Sequence, residues 1–337
     1  MGAQVYQEQV AARAQSALDA VDDVPWTVRR VIARSMRSPL AGTRRLPLTA
    51  VTRADPRTRR LIGRALYGAN GVTHRMNLEL PPAPRAEIVT LHDVVAWRFP
   101  DESAPVAAAP EELRRAAAVI CVSEFTAQEA HDLLGLEGMH VIPNGVDEHF
   151  FDAAPLPPGE RASLGLPELF VLHAGGAAQR KNLDALAAAW PTVRRERPEL
   201  SLVLTGPPHP RRRDLFAGLE GAVLAGRLPD DVMPRVLASA QAVVVPSTYE
   251  GFGLPALEAM AARVPVVAAA TSSLPEVIGA GGLLVAPDAA AIAEGLLAVT
   301  SGDAAIGRMI AVARARADDF TWERCVAAHA RVWTSVS

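Results

Sequence analysis

The sequence predicts an α/β protein of two domains, each wound around a parallel sheet. Three observations lead there. Short apolar runs closed by turn residues alternate with helical patterns along nearly the whole chain. Those runs are apolar throughout rather than at every second position, as strands covered on both faces are. The chain has 337 residues, 50% of them hydrophobic and 21% charged, which is enough to bury two cores.

The elements follow in order. Gln4 to Ala20 has the spacing of a helix, so the chain opens on a helix rather than a strand. VPWTVRRVIARSMRSP predicts a second, basic helix starting at Asp23 and Pro25, with Arg30, Arg34 and Arg37 on one face and Val28, Ile32 and Met36 on another. GVTHRMNL, EIVTLHDV, AAVICVS and HVIPNG are the strands of the first half. LFVLHAG, LSLVLTG, AVLAG, QAVVVPS, VPVVAA and GLLVAP are those of the second. Helical patterns lie between them, at Asn182 to Arg197 and Glu250 to Ala262. FFDAAPLPPGERASLGLP carries four prolines between the two sets. The expected organisation is therefore a first domain over 1–152, a linker over 153–167 and a second domain over 168–319.

Bulk properties exclude several classes. A formal charge of −3 argues against a nucleic-acid partner. Cys121 and Cys325 stand outside any CxxC pair and make no disulfide framework, so a reduced, cytoplasmic compartment is expected. The opening residues lack the apolar centre of a secretory signal. The best apolar stretch, Leu254 to Ala270, is broken by Glu258, Arg263 and Pro265 short of the ~18 residues a membrane span needs. Arginine is abundant and lysine nearly absent, a bias that says little about function.

The most informative segment is VVVPSTYEGFGLPALEAMAARVPVV, Val243 to Val267. A strand runs into Pro246-Ser247, then a turn bearing Gly251 and Gly253, then a helix carrying Glu258. Glu250 thus falls in the loop at the strand's C-terminal end, where open α/β sheets bind ligands. The glycines let backbone N–H groups approach a ligand, and a helix N-terminus favours an anion such as a diphosphate. Carboxylates accept from the paired hydroxyls of a ribose or a hexose. Either glutamate alone would more simply be a cap or a solvated helix residue.

The whole string YEGFGLPALEAMA resembles the E-x7-E donor-site motif of family-four glycosyltransferases. HAGGAAQRKNLDALAAAW, SSLPEVIGAGGLLVAP and FTWERCVAAHARVW are similar to further segments of that family. The resemblance covers about two-thirds of the chain, most strongly from Ala86 onward. It implies a GT-B fold, two Rossmann-like domains facing a cleft, with a final helix at about 320–337 packing back on the first domain. It also implies a retaining hexosyltransferase that uses a nucleotide-diphosphate sugar, without a metal or other cofactor. Glu250, Arg180, Lys181 and His92 would serve the reaction. Glu258, Gly251, Phe252, Gly253, Leu254 and Gly175 would hold the donor. Arg180 and Lys181 would grip the diphosphate and neutralise the charge that builds as it leaves. Cations at a helix start otherwise oppose the helix dipole.

EIVTLHDVVAWRFP resembles the family's strand ending in His-Asp with a turn toward Pro100, and this assigns His92 to the neighbourhood of the donor sugar. GDP-mannose is the first expectation among donors, and a glycan or lipid-linked molecule among acceptors. Eleven arginines against the single acid Asp55 lie between Arg29 and Arg64, which suits an anionic membrane surface or a phosphorylated lipid. An ordinary surface helix in an arginine-rich chain would look the same.

Three departures stand out. Only GAQVYQEQ stands where the family has an opening strand and glycine-rich loop, so a start upstream of Met1 is expected. The alternative is a catalytically degenerate nucleotide-binding member acting as a partner subunit. Arg263 replaces a usual glycine, and Gly175-Gly176 replace a commoner side-chain-bearing pair. A nicotinamide-dependent dehydrogenase would need G-x-G-x-x-G between a first strand and a helix, whereas Gly279 to Gly282 precede a strand.

Overall fold

Each apolar run forms a strand, and every strand pairing is parallel. The computed structural model describes residues 2–21, 23–68, 70–99 and 102–337. The strands are β1 (Ala33–Ser35), β2 (Arg44–Leu46), β3 (Thr73–Arg75), β4 (Glu87–Leu91), β5 (Ala118–Cys121) and β6 (His140–Val141). They continue with β7 (Phe170–Ala174), β8 (Ser201–Thr205), β9 (Ala222–Gly226), β10 (Ala242–Val245), β11 (Val266–Ala269) and β12 (Leu283–Val285). The chain divides into two units, one running to Gly145 and including Trp322–Ser337, the other Val146–Thr321.

In the first unit the sheet order is β3-β4-β5-β6, with β1-β2 as a separate parallel pair. The helix Gly2–Asp19 buries Tyr6, Val10, Ala14 and Leu18, a stripe at four-residue spacing. These pack with Ile88 and Ile120 of the sheet and with Trp322, Val326 and Trp333 of the helix Trp322–Ser335. Met1 and Pro100, which figure in the expected start and turn, lie outside the described residues.

The basic helix expected over 24–39 does not form. Residues 25–32 have no regular secondary structure and lead into β1, which pairs with β2. The backbone here is claimed by other partners. Gln15 binds the Trp26 carbonyl at 3.0 Å and the Val28 N–H at 3.1 Å, and the Ile32 N–H donates to Thr43 Oγ1 at 2.8 Å. Thr27, Val28, Val31 and Ile32 are β-branched, which makes a helix here weak to begin with. Nor is the arginine run a uniform surface. Arg59 is fully buried and donates to Glu112 at 2.6 Å, and Arg60 pairs with Glu111 at 3.3 Å.

Arg59 belongs to a buried network of two arginines and two glutamates. Arg75 reaches Glu87 at 2.9 Å and Glu112 at 2.9 Å. The remaining guanidinium hydrogens of Arg59 go to the carbonyls of Val51, Leu78 and Leu80. Both charges are thus balanced and the irregular segment after β3 is tied to the helix Pro56–Tyr67. Burial pushes the Glu87 carboxyl up, against the pull of Arg75.

In the second unit the six-stranded sheet runs β12-β11-β10-β7-β8-β9. Its core joins Trp190 and Leu186 of the helix Leu183–Glu196 to Val171, Leu202 and Val244 of the strands. The expected linker 153–167 lies inside this unit: it carries the helix Pro158–Ser163 and buries Leu156 and Leu166. The helix after β10 starts only at Leu254, so Glu250 to Gly253 are loop. Arg263 takes a left-handed backbone, φ 58°, which accounts for the glycine usual at that place. Among the described residues no single helix is long and apolar enough to cross a membrane.

Two stability measurements follow. Glu112→Gln leaves two buried guanidinium groups without their shared carboxylate and should cost about 3–5 kcal/mol in urea unfolding. Glu111→Gln, at an exposed pair, should cost under ~1 kcal/mol; equal losses would remove the network as a constraint. Arg263→Gly relieves the left-handed backbone at an exposed position and should raise stability by about 1 kcal/mol. A loss on that substitution would mean that the Arg263 side chain makes contacts worth more than the strain.

Candidate functional site

The order of the second sheet reverses between β7 and β10: β8 and β9 lie to one side of β7, β11 and β12 beyond β10. Segments leaving these two neighbouring strands must emerge side by side, the place where open parallel sheets bind ligands. After β7 the chain passes Gly175 and Gly176 into a single 3₁₀ turn, Gln179–Lys181, and then the helix Leu183–Glu196. After β10 it passes Pro246 to Gly253 into the helix Leu254–Ala261.

Three bonds stitch the loops together. The Thr248 N–H donates to the Arg180 carbonyl at 2.8 Å, Arg180 Nη1 to the Tyr249 carbonyl at 3.2 Å, and Asn182 Nδ2 to the Pro246 carbonyl at 3.0 Å. Asn182 holds a left-handed conformation, φ 53°, which turns Arg180 and Lys181 back from the helix axis toward the second loop.

Glu250 is the centre of the arrangement, 7% exposed. Lys181 Nζ lies 2.6 Å from its Oε1, Ser247 Oγ donates at 2.8 Å, and Arg180 Nη1 stands 3.7 Å from Oε2. Its backbone is held by Ser272 and Ser273 from the loop after β11, at 3.0 and 2.9 Å. Burial alone would raise the Glu250 carboxyl, but Lys181, Ser247 and Arg180 outweigh it and hold the group below its usual range. Lys181 is the only lysine in the chain.

Gly253 caps the following helix at φ 100°, and a Cβ there would stand 2.7 Å from Leu274 Cδ2. Both facts require glycine. Phe252 is buried edge-to-face on Phe320, with centroids 5.9 Å apart, and Gly251 and Leu254 flank it at the loop's exit. Glu258 is half-buried on the helix; its carbonyl accepts the Ala262 N–H at 3.0 Å, and its carboxylate accepts no hydrogen bond among the described residues. Burial, then the nearby Asp147, raises its carboxyl to about 8.

The loops also gather residues the motif did not single out. His173 on β7 is 2% exposed; its Nδ1–H donates to the Val244 carbonyl at 3.1 Å, and its Nε2 has no partner. Burial first, then the cations Lys181 and Arg212, hold this imidazole at about 4. A Cβ on Gly175 would stand 3.2 Å from His173 Nε2, so the histidine occupies the space of a side chain at 175. Arg212 is buried and donates to the Gly175 carbonyl. His173 was visible as a polar residue inside an apolar run. Arg212 was not: within Arg211-Arg212-Arg213 nothing in the sequence marks the buried member.

His92 belongs to the first unit, one residue beyond β4. Its ring meets Tyr6 edge-on at 4.7 Å, and its Nε2 is buried without a partner. Burial holds it below the ordinary histidine value, partly offset by Asp93 and the Met76 carbonyl. Of the sequence-predicted residues, then, Gly175, Arg180, Lys181, Glu250, Gly251, Phe252, Gly253, Leu254 and Glu258 all lie on segments leaving β7 and β10. A buried carboxylate between two cations, beside a helix N-terminus, offers an anion a place and a hydroxyl an acceptor.

Comparison with known proteins agrees with this geometry. The model for "Glycosyl transferases group 1" matches residues 168–301, and that for "Glycosyltransferase Family 4" matches residues 80–150. O-antigen chain mannosyltransferase B of Escherichia coli is 30% identical over 284 residues, 75% of this chain and 71% of that protein. MMP alpha-(1->4)-mannosyltransferase of Mycolicibacterium hassiacum is 36% identical over 150 residues, 43% of this chain and only 34% of that protein. Among solved structures, Anabaena Alr3699/HepE in complex with UDP and glucose superposes with a TM-score of 0.60 at 25% identity, over 74% of this chain and 72% of that one. The two parallel-sheet units are those of the GT-B fold, and the chain belongs to the group 1, family-four glycosyltransferases.

Proposed function

We propose that the protein is a retaining hexosyltransferase that moves a mannosyl unit from a nucleotide-diphosphate sugar, GDP-mannose first among the candidates, to a glycan or lipid-linked acceptor. Cell-envelope or polysaccharide synthesis at the cytoplasmic face of the membrane is the setting this implies. The observation that carries the reading is the ion-paired trio Arg180, Lys181 and Glu250 at the sheet's reversal point. Its support from relatives is the name of the mannosyltransferase at 30% identity and the UDP complex of the HepE structure.

In this reading the donor diphosphate competes with Glu250 for Lys181 and Arg180, and the released carboxylate turns to a sugar hydroxyl. Glu258 accepts a hydroxyl pair of the donor. The bond from the anomeric carbon to the diphosphate oxygen breaks as the acceptor oxygen bonds on the same face, and the acceptor's proton passes to the leaving phosphate. The cations then balance the charge that develops, and positioning supplies most of the remaining rate. The reaction so written calls for no metal. His92 serves the donor sugar through its unpaired Nε2.

Support for a lipid-linked acceptor comes from the first unit. A cavity of about 790 Å³ is lined there by Trp26, Ile32, Val72 and Trp333 together with Arg29, Arg30 and Arg34. Val24, Met36, Leu40 and Leu61 are exposed apolar residues interspersed with the arginines. Such a surface suits an apolar chain bearing an anion.

A thermal-shift panel of nucleotides and nucleotide sugars tests the donor site. One base family should raise the melting temperature by mass action. Because Glu258 at about 8 must lose its proton to accept two hydroxyls, affinity should strengthen about fivefold from pH 7 to 8 and level off above. Glu258→Gln should flatten that profile. Equal slopes in the two proteins would take Glu258 out of the ligand's reach, and no shift with any nucleotide would overturn the donor reading. For the membrane surface, co-sedimentation with phosphatidylglycerol vesicles should exceed that with phosphatidylcholine vesicles at low salt and fall as salt rises. Equal binding to both would remove the arginine surface from membrane contact.

A further inference from the structure

The first unit contains a chain of side-chain hydrogen bonds whose direction is fixed at both ends. Trp333 Nε1 can only donate, and does so to His74 Nδ1 at 3.2 Å. His74 Nε2 therefore carries the hydrogen and donates to Thr90 Oγ1 at 2.7 Å. At the other end the Cys325 carbonyl can only accept, and takes the His329 Nδ1 hydrogen at 2.7 Å. His329 Nε2 is thereby an acceptor, and Tyr6 Oη donates to it at 2.6 Å. One assignment remains for the middle: Thr90 Oγ1 donates to Tyr6 Oη at 2.7 Å. Every hydrogen is placed, each imidazole is neutral in a single tautomer, and Tyr6, Thr90 and His329 are almost wholly buried.

This relay joins the two chain-terminal helices to β3 and β4. It also ends against a residue it does not bond. The Tyr6 ring stands edge-on to His92 at 4.7 Å and 87°, while its hydroxyl is committed to Thr90 and His329 and stays unavailable to His92. We infer that Tyr6, held by the Trp333–His74–Thr90–Tyr6–His329 relay, is a positioning residue: it fixes the ring plane of His92 and leaves His92 Nε2 free for a ligand hydroxyl. The functional weight of this rests on the role proposed above for His92.

The chemistry agrees with that assignment. The Tyr6 hydroxyl is spent on Thr90 and His329, and His92 Nε2 beside the ring is left without a partner. The groups facing the relay are His92 and Asp93 after β4 and Cys325 on the last helix, and burial pushes the Cys325 thiol up to about 12, so none introduces a competing charge except Asp93 beside His92. Burial, then the neighbouring imidazoles, also holds His74 well below its usual value, while burial holds His329 at about 4.

The test compares Thr90→Val, which deletes the central hydroxyl, with Thr90→Ser, which keeps it. Three readouts are taken: nucleotide affinity, transfer kcat, and the titration and tautomer of His92 by histidine 15N NMR. Thr90→Val should leave nucleotide affinity within about twofold, lower kcat about tenfold with little change in donor KM, and move the His92 titration toward the ordinary value. Thr90→Ser should match the wild type. If Thr90→Val is poorly folded, Tyr6→Phe, which keeps the ring and loses both bonds, is held to the same outcomes. A wild-type His92 spectrum in a folded Thr90→Val or Tyr6→Phe protein overturns the positioning role. Wild-type kcat in His92→Ala would instead overturn the role proposed for His92, and the NMR comparison would still decide whether Tyr6 positions it.

Discussion

The adjacency of β7 and β10 is the constraint on which the second unit's chemistry depends. Phe170–Ala174 and Ala242–Val245 are far apart in sequence, yet Val171 pairs with Ala242 and Leu172 with Val243. Parallel pairing sends both strand ends out at the same edge, and the crossovers then lead away on opposite sides. Everything specific to the site follows from that. Lys181 can reach Glu250, 69 residues away, only because their strands are neighbours. The loop after β11 completes the enclosure by holding the Glu250 backbone from its third side, and Glu250 can then remain ionised at a depth where burial alone would neutralise it.

Both units close some buried polar groups into networks and leave others without a partner. In the first, Arg59, Arg75, Glu87 and Glu112 satisfy one another and the surrounding carbonyls, and the relay from Trp333 to Cys325 leaves no hydrogen unplaced. Such closed networks specify one arrangement, and beside them in the same unit His92 Nε2 is left without a partner. In the second, His173 Nε2 is left without a partner near the Lys181–Glu250 ion pair. An unsatisfied buried group costs stability. Its persistence beside a sheet's binding edge is what a preorganised site requires.

Local pattern carried the fold well because parallel strands are apolar runs, a signal that needs no knowledge of partners. All ten runs marked in the sequence became strands. The failures share a cause. At Val28 to Met36 the helical spacing of arginines was real, but Gln15 and Thr43 capture the backbone from outside the segment, and no local pattern reports that. Arg59 and Arg212 sit inside arginine runs whose other members are mostly exposed, and only the carboxylates and carbonyls around them set them apart. Around the site, Glu250 and Glu258 were legible through a dense motif. Their environments were not: one is held ionised by Lys181 and the other raised to about 8 by burial, a difference that seven residues of spacing cannot encode.

Composition sharpens the meaning of Lys181. Of the 34 lysine and arginine residues it alone is lysine. Arg180, the next residue, shows what a guanidinium does in this place: it spends a hydrogen on the Tyr249 carbonyl and stays 3.7 Å from the carboxylate. A planar fork is suited to fixed, bidentate partners, whereas an ammonium is a compact point charge that three rotating hydrogens can redirect. At 2.6 Å from Glu250 Oε1 the ammonium is held by a side-chain acceptor that an incoming anion could replace. An arginine at 181 would bind the carboxylate through two bonds and exchange it less readily. The difference between Arg180 and Lys181 is therefore physical: the guanidinium also ties one loop to the other through the Tyr249 carbonyl, whereas the ammonium bonds the Glu250 carboxylate.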